Sequence, residues 1–197
     1  MKIAAQTFPK GTLFIYHNVY HPANSFKIAE KSFKYLCSRR PTVLSRWHLL
    51  MQYVYYLRGW GIEQSFNVSK HFELDAFNPV KASAVEFVHS LRNPKRVLDK
   101  QKVLNKYINI SYVLDPIAFI NKAGSIPPKV YSFLKSLYRE GAEEISFVDE
   151  QTDIYLNKDM EWEERSKSLY LKKIFEKAAA TIVAAYYVTY PLDKVRW

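Results

Sequence analysis

Apolar residues recur every three to four positions along most of this chain, and many of the stripes begin at a residue suited to capping a helix. Agreement between a 3.6-residue period and a start signal predicts helix. Asn24 or Ser25 precedes a stripe of Phe26, Ala29, Phe33, Leu36 and Cys37, which ends at Arg39-Arg40-Pro41 because proline disfavours helix in the residue before it. Thr42 then caps a run of Val43, Trp47, Leu50, Met51, Val54 and Leu57, closed by Gly59-Trp60-Gly61. Asn78-Pro79, Asn93-Pro94 and Asp115-Pro116 each read as a cap with proline at the first helical position. They open predicted helices carrying Val80, Ala84, Phe87, Val88 and Leu91, then Val97, Leu104 and Ile108, then a short segment from Ile117 to Ala123. Pro127-Pro128 opens another through Arg139, and the last is predicted from about Asp159 to Tyr187 with Leu171, Ile174, Phe175, Ala178 and Ile182 inward.

Strand signals are confined to Thr12 to Tyr20, Phe72 to Phe77 and Ile145 to Val148. The pattern therefore predicts a mainly α protein: a compact bundle of six to seven helices with at most a small β element near the N-terminus. With 197 residues and 48% hydrophobic content the expectation is one domain spanning residues 1–197. Fifteen Tyr, twelve Phe and four Trp argue for large buried surfaces rather than disorder.

Charge is unevenly spread. Residues 1 to 138 hold twenty Lys and Arg against seven acids, whereas ten carboxylates crowd residues 140 to 164. A one-signed field steers oppositely charged partners, so electrostatics is expected to govern what the chain touches. Arg39, Arg40 and Arg46 flank Trp47, while Lys95, Lys102 and Lys106 share the polar face of one predicted helix, with Arg96 and Lys100 to one side. This basic patch suits phosphates or an acidic protein surface. Within the acidic half, Glu161/Arg165 and Glu163/Lys167 are spaced as i,i+4 pairs of the last helix. Glu140, Glu143, Glu144, Asp149, Glu150 and Asp153 have no such explanation and form a candidate acidic patch.

Motifs of known chemistry are weak. His17-x-x-x-His21 has zinc-hydrolase spacing but sits in predicted extended chain before Pro22, with no glutamate between the histidines. Asp149, Glu150 and Asp153 lack the alternating ligands and the glycine of a calcium loop. Five glycines and no glycine-rich loop before a helix argue against a nucleotide cradle. Cys37, the single cysteine, lies on an apolar stripe and reads as a small hydrophobe. No catalytic residue, metal ligand or cofactor is predicted.

A lone cysteine fits a reducing compartment, no export signal develops before Pro9, and the near-apolar run from Ala178 to Tyr190, about 13 residues, is shorter than the ~20 a spanning helix needs. The expectation is a cytoplasmic protein that does not enter a membrane. The leading functional expectation is a non-enzymatic module that binds another protein by charge complementarity and aromatic anchors, as an inhibitor, adaptor or immunity-type protein would. The alternative is nucleic-acid binding through the basic helices of residues 24–108. A third is an enzyme whose site involves Cys37, the histidines or the Asp149, Glu150 and Asp153 group.

Overall fold

A sheet of nine strands in chain order forms the middle of the molecule, with helices against both of its faces. The computed structural model describes residues 4–7, 13–16, 46–68 and 70–189. The strands are β1 (Ala4–Thr7), β2 (Leu13–Tyr16), β3 (Gly61–Asn67), β4 (His71–Asn78), β5 (Ser83–Val88), β6 (Asn109–Leu114), β7 (Ile145–Val148), β8 (Asp153–Leu156) and β9 (Trp162–Glu164). The described helices are α1 (Arg46–Leu57), α2 (Pro94–Leu104), α3 (Pro116–Phe119), α4 (Pro128–Arg139) and α5 (Leu169–Thr189). Described side chains on the sheet come from the seven strands β3 to β9. The mainly α bundle of six to seven helices predicted from the apolar spacing is therefore wrong: this is an α/β protein built on a mixed sheet.

Strands β1 to β5 pair antiparallel, β5 to β7 pair parallel, and β7 to β9 return to antiparallel. A parallel neighbour requires a crossover, and the two crossovers are made by α2 and by α3 with α4. Leu104 of α2 and Val130, Phe133, Leu134 and Leu137 of α4 pack on one sheet face with Leu74, Ile110, Tyr112 and Ile145. On the other face α1 and α5 set Met51, Val54, Ile174 and Phe175 against Ile62, Val85, Phe87 and Val113. Three layers result.

The largest misreading is residues 78–91, predicted as a helix and folded as a turn into β5. This interior strand is buried on both faces, so Ala84, Val85, Phe87 and Val88 are all inside and no period-two alternation marks it. The Asn78-Pro79 signal is real but serves a turn. Asn78 Oδ1 accepts the Lys81 N–H at 3.2 Å, the same three-residue reach that an N-cap makes, and the Pro79 carbonyl accepts the Ala82 N–H at 3.2 Å. Asn93-Pro94 does cap a helix, with Asn93 Oδ1 accepting from the Arg96 N–H at 3.1 Å. α2 then stops at Leu104, short of the predicted Ile108, because the chain must enter β6.

The last helix begins at Leu169 rather than Asp159, and Trp162–Glu164 is an edge strand. The predicted i,i+4 pairs of Glu161 with Arg165 and Glu163 with Lys167 accordingly do not exist. Arg165 instead reaches Glu144 at 2.9 Å and Asp153 at 3.3 Å. The helix predicted over residues 24–40 lies outside the described residues.

Gly141 ends α4 at φ +89°, and a Cβ there would run into the Asn105 side-chain amide. Gly124 has a comparable φ of +78° with nothing within 4 Å. Gly141→Ala is expected to cost about 2–3 kcal/mol and Gly124→Ala only about 1 kcal/mol, the backbone strain alone. Urea denaturation midpoints of the two variants check this, and equal losses would contradict it.

Candidate functional site

Alternation along β3 and β4 breaks at one place. Ile62 and Phe66 are four residues apart yet join opposite cores, as do Leu74 and Ala76, two apart. Between them the ladder skips the pair Glu63 and Asp75, and Glu63 adopts φ +51°, a left-handed conformation that side chains rarely take. Asp75 therefore leaves the regular pleat, and its carboxylate reaches sideways to the next strand. Asp75 Oδ2 accepts the Phe87 backbone N–H at 2.8 Å. β4 and β5 pair only from Ala76/Val85 to Asn78/Ser83, so the strands part at that carboxylate.

The fork opens a cleft of about 850 Å³ between β4, the end of β5 and the first turns of α2. Glu86 stands on its floor from β5. The Asp75 backbone N–H lies near enough to favour its charged form, so each acid faces the strand that carries the other. Lys100 descends from α2 to Glu86 Oε1 at 2.7 Å and also donates to the Glu73 carbonyl. The helix is fixed one residue further on, where Gln101 accepts a hydrogen bond from the Tyr112 hydroxyl at 2.8 Å and donates to the Glu140 carbonyl at 3.2 Å. Both Gln101 and Tyr112 are fully buried, so this bridge sets the height of Lys100 above the sheet.

Burial raises both acids. Asp75 is pushed up to about 6 by desolvation, with Lys100 and the Phe87 N–H pulling the other way. Glu86 is pushed up to about 7 by desolvation, again opposed by Lys100, while Asp75 adds repulsion. Yet each side chain keeps an outlet to the cleft, at 27% and 13% exposure. Two repelling carboxylates sharing one ammonium are costly to hold, which makes the fork the candidate site.

The cleft rim carries charge of both signs, the cations Lys70, Lys95 and Arg96 against the exposed acids Glu73 and Asp99. Lys95 and Arg96 are exposed on the first turn of α2, and Lys70 and His71 are exposed on the opposite wall. The helix dipole adds positive potential at the α2 start. On the α1 side, His48 Nε2 lies 3.9 Å from Asp75 Oδ1, and Gln52 Nε2 donates to Glu63 Oε1 at 3.0 Å. Burial, with repulsion from His89, lowers His48 to about 4, so its imidazole is neutral at pH 7.

The chain matches no protein-family model, no curated protein and no solved structure. The site thus has to be read from its own geometry.

Of the predicted basic patch, Lys95, Arg96 and Lys100 converge on the cleft, whereas Lys102 and Lys106 are exposed without lining it. Trp47 is buried and donates its indole N–H to the Val148 carbonyl at 2.7 Å, which removes it as a surface anchor. Arg39 and Arg40 lie outside the described residues, as do His17, His21 and Cys37. Arg46 begins α1. The acidic patch is scattered. Glu144 and Asp153 fold back on Arg165, Asp149 Oδ1 accepts the Gln151 and Thr152 N–H groups of its own turn, and the Glu140 carbonyl serves the Gln101 bridge. Glu143 and Glu150 remain exposed. Among the described residues no group of three or more His, Cys, Asp and Glu side chains is set to hold a metal alone, and no helix is long and apolar enough to cross a membrane.

Asp75 and Glu86 are not among the residues that sequence patterns single out. The available signal is a solitary acid inside an apolar run, Leu74-Asp75-Ala76 and Val85-Glu86-Phe87, where burial of a charge demands a reason.

Proposed function

We propose that the chain is a divalent-cation-dependent phosphodiester hydrolase acting on nucleic acid, with Asp75, Glu86 and Lys100 as its catalytic group. The observation that carries this reading is the pair of neighbouring carboxylates at the strand fork, Asp75 on the Phe87 N–H and Glu86 on Lys100, both opening into one cleft. Magnesium-like cations are held by one or two carboxylates and complete their shell with water and substrate phosphate, so a two-acid site is sufficient for a cation that substrate helps to bind. A cation there would neutralise the repulsion between Asp75 and Glu86 and polarise a phosphoryl oxygen. Water then bonds to phosphorus as the ester P–O bond breaks. Its proton would pass to solvent, and the leaving oxygen would take one from solvent. Lys100, which stands beside Glu86, would face the charge that builds on the phosphoryl oxygens.

Two acids also serve glycoside hydrolysis, but Lys70, Lys95 and Arg96, which outnumber Glu73 and Asp99 on the rim, favour a polyanion over a neutral sugar. The excess of cations in residues 1 to 138 extends the same attraction beyond the cleft. Protein docking through charge remains the other reading of the polarised surface, and nothing buried supports it comparably. A cytoplasmic setting accords with the single cysteine.

Incubating the purified chain with labelled DNA and RNA oligonucleotides, in Mg²⁺ or Mn²⁺ and in EDTA, tests the proposal. Cleavage is expected only with the cation; intact DNA and RNA under every cation condition would overturn it. Binding itself should weaken steeply with salt. Lys95→Glu with Arg96→Glu is expected to reduce the slope of log affinity against log salt by about 2, one for each phosphate no longer neutralised. An unchanged slope in fluorescence anisotropy would place the phosphates elsewhere.

A further inference from the structure

β7 reads Ile-Ser-Phe-Val, and its serine breaks an otherwise apolar strand. Ile145 and Phe147 point into the core under α2 and α4, so Ser146 between them, like Val148, faces the other side, toward α1 and α5. Ser146 pairs with Val113 on one neighbour and Tyr155 on the other, is 4% exposed, and its hydroxyl meets no partner among the described residues. Packing alone would favour valine here, because a hydroxyl stripped of water and left unpaired is costly.

Ser146 lines a cavity of about 290 Å³, walled by Met51 and Val54 of α1, Leu171 and Phe175 of α5, and Val113 of β6. That is the small end of ligand pockets, which run to roughly 300–1,000 Å³ and combine an apolar lining with a few convergent polar groups. The charged residues of the lining are the cations Arg58, Arg165 and Lys167 and the acids Glu144 and Asp153. Arg165 is spent on both acids, and Lys167 donates to the Asp149 and Thr152 carbonyls. Arg58 is exposed, lies over the Tyr55 ring at 4.9 Å, and makes no ion pair among the described residues. One cation is thus left over beside an apolar chamber that holds a buried hydroxyl.

We infer that this cavity binds a small amphipathic carboxylate. Its apolar body lies against Met51, Val54, Leu171 and Phe175, and its carboxylate accepts from the Arg58 guanidinium, with the Ser146 hydroxyl as a second donor. The cavity shares no lining residue with the fork cleft, so the inference stands apart from the cleavage reading.

Calorimetric titration of octanoate, 1-octanol and octylamine into the full chain, with amide NMR shifts to locate the site, tests it. Octanoate is expected to bind at one site about 10-fold or more tighter than the alcohol or the amine, shifting the Val113, Ser146 and Leu171 amides. Arg58→Met, which keeps an apolar stem over Tyr55 at an exposed position, is expected to weaken octanoate about 10-fold or more and to leave octanol unchanged. Ser146→Ala should weaken octanoate about 3- to 10-fold. No octanoate binding overturns the inference, as do shifts confined to the fork cleft, equal affinity for octylamine, or wild-type affinity in Arg58→Met. The comparison of the three probes on the wild-type chain decides the matter even if a variant fails to fold.

Discussion

Asp75→Asn and Glu86→Gln are each expected to lower the cleavage rate by on the order of 10³-fold or more, with the fold intact. Both substitutions keep the side-chain size, and in Asp75→Asn an amide oxygen still accepts the Phe87 N–H. What they remove is one negative charge from a site that needs two to hold a doubly charged cation. Cation affinity and transition-state stabilisation fall together, so excess Mg²⁺ recovers only part of the loss. Lys100→Met should also be inactive, but for a separate reason: it leaves Glu86 and Asp75 without their ammonium, and the fold weakens as well. Single-turnover cleavage rates alongside circular dichroism spectra separate these cases. An Asp75→Asn protein that cleaves at the wild-type rate would remove the cleft from the mechanism.

The same Asp75→Asn variant is expected to be more stable than wild type at pH 8 and no more stable at pH 4. Asp75 titrates near 3.8 when exposed and near 6 in the fold, so the folded state holds its proton more tightly. A raised acid contributes stability that is present in full below its unfolded pKa and is lost as pH rises through its folded pKa. The loss for Asp75 therefore develops between about pH 4 and pH 6 and is complete at pH 8. A tenfold change in proton affinity corresponds to about 1.4 kcal/mol, and the partial exposure of the side chain leaves a net effect of order 1–2 kcal/mol. For a chain of this size that is a rise in Tm of about 2–8 °C in the variant. His48, lowered to about 4, gives wild type a slope of the opposite sign: stability lost as pH falls below 6.5. The informative quantity is thus the difference between variant and wild type at each pH, measured by thermal unfolding in EDTA. A difference independent of pH would show that Asp75 is not a strained, functional acid.

Elements whose signals are local are legible in the sequence. α1 with its Gly59 stop, α4 from Pro128 to Arg139, and β7 at Ile145–Val148 fall where the apolar spacing and end signals put them. Their amphipathic faces or terminating residues lie within a few positions of one another, so a short window finds them. β5 and β6 are different. Both are interior strands buried on two faces, and a short apolar run satisfies a helical template equally well, the more so in β5 after Asn78-Pro79. Only the pairing partners distinguish the two, and pairing is non-local.

The site follows the same division. Lys95, Arg96 and Lys100 stand out in the sequence because they sit together on one helix, and they do border the cleft. Asp75 and Glu86 are overshadowed by the crowd of acids at residues 140–164, where density in sequence suggests a patch. Within that crowd Asp149 serves its own turn and Glu144 and Asp153 serve Arg165, whereas the two solitary strand acids meet across the fork. The proposed catalytic group is assembled from β4, β5 and α2 by sheet topology, and no spacing rule links Asp75 to Lys100.

The most direct test of the cation centre is a crystal of the chain soaked in Mn²⁺, with anomalous scattering used to locate the metal. One strong peak is expected, bonded to both the Asp75 and Glu86 carboxylates, with Lys100 swung away from Glu86. Manganese bound only among the exposed acids around residues 159–164, with Lys100 in the cleft still paired to Glu86, would contradict the catalytic assignment.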